Sequence, residues 1–592
     1  MGIPTFFRKI ISEYPDTHFS WKELKDVDYF YLDFNSIIYG CIYSVEKKTK
    51  PKDFDKALMI KVNEYLQKVV CEIVKPKKSL YLAFDGPVPR AKMIQQRYRR
   101  FKGVKEEKYK KNLKLKYNEP TDFEFDKTKI SPGTQFMVKL TESISKFIRQ
   151  GGLYKHKEID IILSDTLVPG EGEHKFMPEI RKLLKNEPNA VVVVESPDAD
   201  VIVLSISTHK QNIYILREVN SQLDSILKGK YDNDGFLYLN INKTKEHFTE
   251  SLTQEYNGKI DMVRHMVDFV FLTFLLGNDF VVATPYLKVK REGLKIVTTI
   301  YKRIFGEEEK YLIDEKKGKY SLNISFFRDL VRELAENEEF NYKKLQKNRD
   351  RVRKQDNISM NQQKREEDMT DYQKELTRYE NQEYFSRFNP LFKKYNPEFD
   401  KINYFDQKDE WKKQYYKYFF NINQDEYTIK VNNICEEYIR CLIWNLEYYF
   451  KGVPPSWRYF YPYRAPPVMS DLYETLGNLK SLNKFGKFEK DIPFLPFEQL
   501  MLILPPQSSY ILPKELGELM KDPNEEIIAF YPIEVELDVV LGQKHIYSEP
   551  LLPQIDADKI VSRVQEIYSK LKSSDKKRNV KGKVKKFIVK KK

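Results

Sequence analysis

Seven carboxylates, Asp33, Asp85, Glu171, Glu173, Asp198, Asp200 and Asp279, are placed as a phosphodiester-cleaving metal site would need them, several just behind a short apolar run. The runs are Asp28-Tyr-Phe-Tyr-Leu-Asp33, Ser79-Leu-Tyr-Leu-Ala-Phe-Asp85, Ile159-Asp-Ile-Ile-Leu-Ser-Asp165 followed by Gly170-Glu-Gly-Glu-His174, and Ala190-Val-Val-Val-Val-Glu-Ser-Pro-Asp-Ala-Asp200. Segments this short and apolar predict buried strands. Ligand sites in open α/β sheets form beyond the carboxyl ends of parallel strands, so each run delivers acid to one edge. Carboxylates converging at ~4–5 Å repel by roughly 3–4 kcal/mol per pair at an effective dielectric of ~20. Such a cluster calls for a divalent cation, and an all-oxygen donor set suits Mg²⁺ or Mn²⁺ rather than zinc.

A second constellation stands directly behind Asp85. In Phe84-Asp-Gly-Pro-Val-Pro-Arg-Ala-Lys-Met-Ile-Gln-Gln-Arg-Tyr-Arg-Arg-Phe101 the prolines force a turn, and helix-compatible sequence follows. Lys92, Gln96, Arg99 and Arg100 then fall at i, i+4, i+7 and i+8 on one helix face. Two guanidinium groups, an ammonium and an amide beside a metal site suit the grip of a terminal phosphate. An ordinary solvated basic helix is the plainer alternative, and adjacency to Asp85 weighs against it.

Each acid also has a plain structural reading. Glu171 and Glu173 could cap a helix or meet its dipole, although the Gly-x-Gly frame favours close approach to a ligand. Asp198 and Asp200, two apart after a buried strand, face one way in extended geometry. Gly277-Asn-Asp279 reads equally as a helix stop. Asp165 reads as turn chemistry and His174 as structural. In the aromatic stretch from Trp444 to Tyr463, base-stacking platforms are conceivable, but Trp444 lies in an amphipathic helix and reads as core.

At 592 residues the chain predicts two domains. Strands alternating with helical patterns through about residue 215 predict a doubly wound, mainly parallel α/β sheet. The expected organisation is a catalytic region over 1–335, a charged linker over 336–400 that reads as a long exposed helix or as partly disordered because its apolar residues are too thin to bury a face, an aromatic-rich region over 401–572, and a basic tail over 573–592. Formal charge is +15. Residues 90–116 carry twelve Lys/Arg against Glu106 and Glu107, and residues 576–592 carry ten with no acid. A polyanion is the expected partner of such patches, while the tail also reads as a solvated segment with little to order it. Cys41, Cys71, Cys435 and Cys441 form no C-x-x-C pair, which points to a reducing, intracellular setting. No signal peptide is expected, and the longest apolar stretch, Met262 to Leu276, is broken by Arg264, His265 and Asp268, so no membrane association is expected.

Together these residues resemble the 5′→3′ exoribonucleases of the XRN family. The similarity is carried by Met1-Gly-Ile-Pro-Thr-Phe-Phe-Arg8, Leu32-Asp-Phe-Asn35, Phe84-Asp-Gly86, Pro89 to Phe101, Pro132-Gly-Thr134, Val168 to Lys175, Asp198-Ala-Asp200 and Leu275 to Phe280. It continues through Gly452-Val-Pro454, Tyr461-Pro-Tyr463, Ser470-Asp-Leu472, Pro496 to Met501, Leu512-Pro513 and Phe530-Tyr-Pro532. The resemblance implies a PIN-like, flap-nuclease-like core with a second, helical and mixed region packed on it. It implies that the seven acids ligate metal, two ions in all, and that Lys92, Gln96, Arg99 and Arg100 form a 5′-monophosphate pocket. It further implies processive hydrolysis of single-stranded RNA to nucleoside 5′-monophosphates by a monomeric enzyme. Where the family has a base-stacking histidine this chain has Tyr39, which can stack but cannot become cationic. Trp457 is the second expected stacking residue, with Tyr459 where another tryptophan often stands, and Val281-Val-Ala283 replaces an expected Leu-Pro-His. The competing readings are a flap-type DNA endonuclease, which shares the acidic core but not the Gln95-Gln-Arg-Tyr-Arg-Arg100 helix, and a catalytically silent RNA-binding scaffold.

Overall fold

Five central strands of the computed structural model are parallel: β2 (Tyr29–Asp33), β3 (Ser79–Ala83), β4 (Ile159–Ser164), β5 (Val192–Glu195) and β6 (Ile213–Glu218). The structure describes residues 6–589 except 47–49, 121–122, 154–158, 220–226, 228–234, 289–291, 354–365, 382–401, 407–409, 424–425 and 539–547. Two antiparallel strands extend one side of the sheet, β1 (His18–Ser20) and β7 (Phe236–Asn240). Short pairs outside it join β8 (Ile313–Lys316) to β9 (Lys319–Leu322) and β10 (Leu537–Asp538) to β11 (Glu549–Pro550). On the far side β12 (Lys585–Val589) lies antiparallel to β4, giving the order β1-β7-β6-β5-β2-β3-β4-β12.

The central strands are apolar on both faces because both are covered. Phe30, Leu32, Leu80, Leu82 and Val193 face one core, while Tyr31, Tyr81, Val192 and Val194 face the other. A fully buried Leu or Val contributes roughly 1.5–3 kcal/mol, so the alternation fixes the register firmly. From β2 the chain steps one way to β3 and β4, then returns to β5 on the other side of β2. A crevice opens at such a reversal, beyond the carboxyl ends of the strands.

The second of these cores does not stop at the sheet. It runs from Phe6 through Tyr438, Trp444 and Tyr448 to Phe485, so the sheet and the aromatic-rich region share apolar packing. The helix Arg90–Lys116, 27 residues and ~40 Å long, ties them further. Its Met93 packs with Phe497, Leu500 and Ile560 in a third cluster.

Three expectations change. The tail is ordered through residue 589: Arg578 is buried and donates to Gly133 O, Phe497 N donates to Asn579 Oδ1 at 2.8 Å, Gly582 N donates to Leu167 O at 2.8 Å, and β12 pairs with β4. A lysine-flanked Phe-Ile-Val triplet is a good edge strand, because the charges discourage further pairing while Phe587 packs inward. The linker is helical where it is described, but its helices are docked rather than exposed. In the helix Glu338–Arg353, Tyr342 and Leu345 are buried, and Glu338 accepts from Met469 N at 2.7 Å and Ser470 N at 3.1 Å. The helix Asp371–Asn381 docks on the basic helix, with Tyr379 stacked on Tyr109 at 4.1 Å and Glu375 2.7 Å from Lys116. Residues 354–365 and 382–400 of that expected linker lie outside the described residues. Finally, three of the basic helix's twelve cations are turned inward. Arg90, Arg97 and Lys102 are buried and donate to backbone carbonyls of Ile555, Leu502 and Ser548.

Candidate metal centre and basic helix

The acids gather where the sheet topology leaves its crevice. Asp33 is the last residue of β2, and Asp85 follows β3. Glu171 and Glu173 open the helix Gly172–Asn186 after β4, and Asp200 opens the helix Asp200–Ile206 after β5. Asp279 comes from outside the sheet, in the turn behind the helix Met262–Leu275. There Gly277 adopts φ +86°, and Asn278 Oδ1 accepts from Phe280 N and Val281 N at 2.9 and 2.8 Å.

Asp33, Asp85 and Glu173 each bring a carboxylate oxygen within 4.8 Å of the others, a group that could hold a metal ion. Gly172 makes this approach feasible, since a Cβ there would sit 2.8 Å from Asp33 Oδ1 and 3.1 Å from Ala83 O. Its N–H donates to Asp85 Oδ1 at 2.8 Å. Asn35 Nδ2 holds the other Asp85 oxygen at 2.8 Å, and Ser196 Oγ donates to Asp33 Oδ2 at 3.1 Å. Glu171 and Asp279 form the other half of the cluster around Lys92, whose Nζ is 2.6 Å from Glu171 Oε2 and 2.5 Å from Asp279 Oδ2, and the charges of Asp279 and Lys92 act on Asp200. Gln95 also donates to Asp279. Asp198 is exposed at the rim, where its charge bears on Asp33 and Asp200.

Burial pushes Asp33 well above the usual carboxylate range, with Asp85 and Asp198 adding to it. It does the same to Glu173, aided by Glu171 and Asp33, and carries Asp200 up to about 7 beside Asp279. At Glu171 burial also outweighs the pull of Lys92. Asp279 behaves oppositely, since burial there is overcome by Lys92 and its carboxyl lies far below the ordinary range. Asp200 Oδ1 is buried with no hydrogen-bond partner among the described residues. An orphaned oxygen and several proton-retaining acids in an all-oxygen set fit a hard divalent cation.

The four residues expected on one face of the basic helix have divided surroundings. Lys92 points into the acids, Gln96 Oε1 accepts from Gln499 Nε2 at 3.2 Å, and Arg100 Nη2 donates to Ser131 Oγ at 2.6 Å. Arg99 is exposed. Tyr39 is 38% exposed, and Arg100, Asp85 and Arg99 are among the charges acting on it. Trp457 is half-buried, its backbone fixed by Asp491 Oδ1 at 2.6 Å and by Arg90 N, which donates to its carbonyl at 2.7 Å.

Glu171 occupies the N-cap position without a side-chain capping bond, which removes the simple capping reading. His174 is structural as expected, buried and stacked on Tyr448 at 3.8 Å. Trp444 is core, its Nε1 donating to Ser456 O at 3.0 Å. Asp165 does serve a turn, accepting from Leu167 N at 3.0 Å, and also meets Lys585 at 2.8 Å. Sequence reasoning passed over Asn35, Ser196 and Tyr448 as partners of the acids. The first two stand within two residues of an acid or strand end, whereas Tyr448 reaches Glu171 across 277 residues.

Residues 1–219 match the family profile described as XRN 5'-3' exonuclease N-terminus, and residues 259–592 match the one described as Xrn1 helical domain. The chain is similar to the 5'-3' exoribonuclease 2 homolog of Drosophila melanogaster, 29% identical over 98% of this chain and 73% of that protein. It is 28% identical to 5'-3' exoribonuclease 1 of Saccharomyces cerevisiae and 29% identical to the human protein of that name, over 98% of this chain in each case. It spans 44% of the yeast protein and 35% of the human one. No helix among the described residues is long and apolar enough to cross a membrane.

Proposed function

The chain belongs to the XRN 5'-3' exonuclease family, and from that premise we propose that it degrades single-stranded RNA from a 5′-monophosphate end, releasing nucleoside 5′-monophosphates. The observation that carries this reading is the convergence of Asp33, Asp85, Glu173, Glu171, Asp200 and Asp279 beside the Lys92 face of the basic helix. Asp33, Asp85 and Glu173 would hold one Mg²⁺ or Mn²⁺, and Glu171, Asp200 and Asp279, with Asp198 at the rim, a second. Such ions supply an activated water and neutralise the leaving oxygen.

The chain's own groups do the rest. Lys92 keeps the cluster compensated. Eight residues at ~1.5 Å each put Arg100 ~12 Å along the helix axis from Lys92, leaving space on the scale of one nucleotide between the acids and the arginines. Arg99 and Arg100 would take the terminal phosphate by charge-assisted hydrogen bonds. Tyr39, beside Arg100, and Trp457, at the start of the same helix, would stack on bases.

Matched RNAs bearing a 5′-monophosphate, hydroxyl, triphosphate or cap, digested with and without Mg²⁺, test the proposal. Mononucleotide release confined to the monophosphate with Mg²⁺ is expected. Internal cleavage, or equal rates on all four ends, would refute it.

A further inference from the structure

Glu171 is held by a residue of the aromatic-rich region. Tyr448 is completely buried near the end of the helix Tyr427–Lys451, and its hydroxyl donates to Glu171 Oε1 at 3.0 Å. The other oxygen, Oε2, faces Lys92 at 2.6 Å. A hydrogen bond on one oxygen and an ion pair beside the other restrain the carboxylate, where a lone buried glutamate would be free to turn.

The Tyr448 ring is itself keyed to both acid-bearing loops. His174, three residues after Glu171, stacks on it at 3.8 Å with planes 9° apart. Phe280, next to Asp279, meets it edge-on at 5.4 Å. The end of the Tyr448 helix packs closely on the helix that follows Glu171, since a Cβ at Gly452 would be 2.5 Å from Pro178 Cγ. Arg181 Nη2 also donates to Tyr449 O at 2.6 Å. The helix carrying Glu173 and the helix carrying Tyr448 are therefore docked as one body around this hydrogen bond.

We infer that Tyr448 is a positioning residue for the metal centre, its hydroxyl orienting Glu171 so that cation affinity depends on a side chain from the aromatic-rich region. The inference rests on Glu171 being a metal ligand. Partners that orient a ligand in this way typically govern 10–100-fold of metal affinity.

Tyr448→Phe removes the hydroxyl and keeps the ring. Mn²⁺ affinity, measured by EPR of the free ion without RNA, should weaken about tenfold, with a melting temperature close to wild type and an unchanged KM for RNA. The Mg²⁺ concentration for half-maximal rate should rise in step, and high Mg²⁺ should restore kcat. Tyr461→Phe, which removes another buried hydroxyl of the same region, one that donates to Ala465 O, should bind Mn²⁺ normally. In a Glu171→Gln background the Tyr448→Phe change should add no further loss, the signature of one shared interaction. Additive losses, an equal defect in Tyr461→Phe, or normal Mn²⁺ affinity in Tyr448→Phe beside a weakened Glu171→Gln would each overturn the positioning role alone. Normal affinity in Glu171→Gln would instead overturn the assignment of Glu171 to the metal site.

Discussion

Lys92 Nζ stands 2.5 Å from Asp279 Oδ2 across 187 residues of sequence, so the basic helix compensates an acid brought from outside the sheet. The acids on the sheet side are treated differently. Burial raises Asp33, Glu173 and Asp200, the last to about 7, so without metal they retain protons that the unfolded chain would release. Their stabilisation is full below the ordinary carboxylate range and is lost as pH rises through it toward about 7. Asp279, held low, works in the other direction, but only under acid conditions below that range.

Melting in chelator should therefore occur at lower temperature at pH 8 than at pH 5. Excess Mg²⁺ should raise the melting temperature more at pH 8, where the acids are ionised and bind it. A chelated protein that grew more stable across this interval would contradict the electrostatic account.

Asp33→Asn or Asp200→Asn removes a proposed ligand and, at pH 8 where the carboxyl would ionise, a repelling charge from the cluster. Each should cut turnover about 10²–10³-fold while RNA binding persists, and raise thermal stability in chelator at that pH. Gel-shift and melting assays on the purified variants separate these effects. Wild-type turnover at saturating Mg²⁺ would remove the residue from the metal site.

Arg97 and Arg99 are two positions apart with opposite fates. Arg97 is buried on carbonyls of Leu502 and Phe530, whereas Arg99 is exposed. Arg97→Ala should lower stability by about 3 kcal/mol or more through stranded carbonyls and lost packing. Arg99→Ala should leave stability unchanged, weaken RNA binding and reduce the slope of log affinity against log salt by about 1.

Arg100 is fixed by Ser131, which leaves its guanidinium oriented near Tyr39. Arg100→Ala should reduce kcat/KM on 5′-monophosphate RNA by ten- to a hundredfold and on 5′-hydroxyl RNA far less. Equal losses on both substrates would mean that this face binds the RNA chain rather than its end.

Deleting residues 573–592 should destabilise the nuclease core, since the segment supplies Arg578, Asn579, Gly582 and β12. Phe587→Asp should reproduce much of the loss with the chain length intact. A truncated protein that melted at the wild-type temperature would show that the strand only rests on the sheet.

What could be read in advance follows from where the information lies. The strands and their acids were legible because two-sided burial leaves contiguous Val, Leu and aromatic runs, and the acids follow them at once. The Lys92–Arg100 face was legible from helical spacing. Its opposite face was not, because Arg90, Arg97 and Lys102 answer to backbone carbonyls of Ile555, Leu502 and Ser548, which have no signature of their own. Tyr448 was hidden in an aromatic stretch in which several rings serve packing alone. The lysine run at 576–592 masked a strand, since charge dominated the reading and its partner β4 lies far upstream. The helix after Glu338 was legible as a helix but not as a docked one, because two apolar residues, Tyr342 and Leu345, suffice to seat one helix side.

The pairing of β12 with β4 has a kinetic consequence. Arg578 and Gly133, joined beside that edge, are 445 residues apart. Closing so long a loop costs only a logarithmic increment of entropy, but contacts of this separation form late, after the elements they join. Until β12 arrives, β4 presents an unpaired strand edge, a template for pairing with a neighbouring chain. Refolding from denaturant should accordingly pass through a compact species that loses yield as protein concentration rises, and a synthetic peptide of the β12 sequence supplied in excess should rescue that yield.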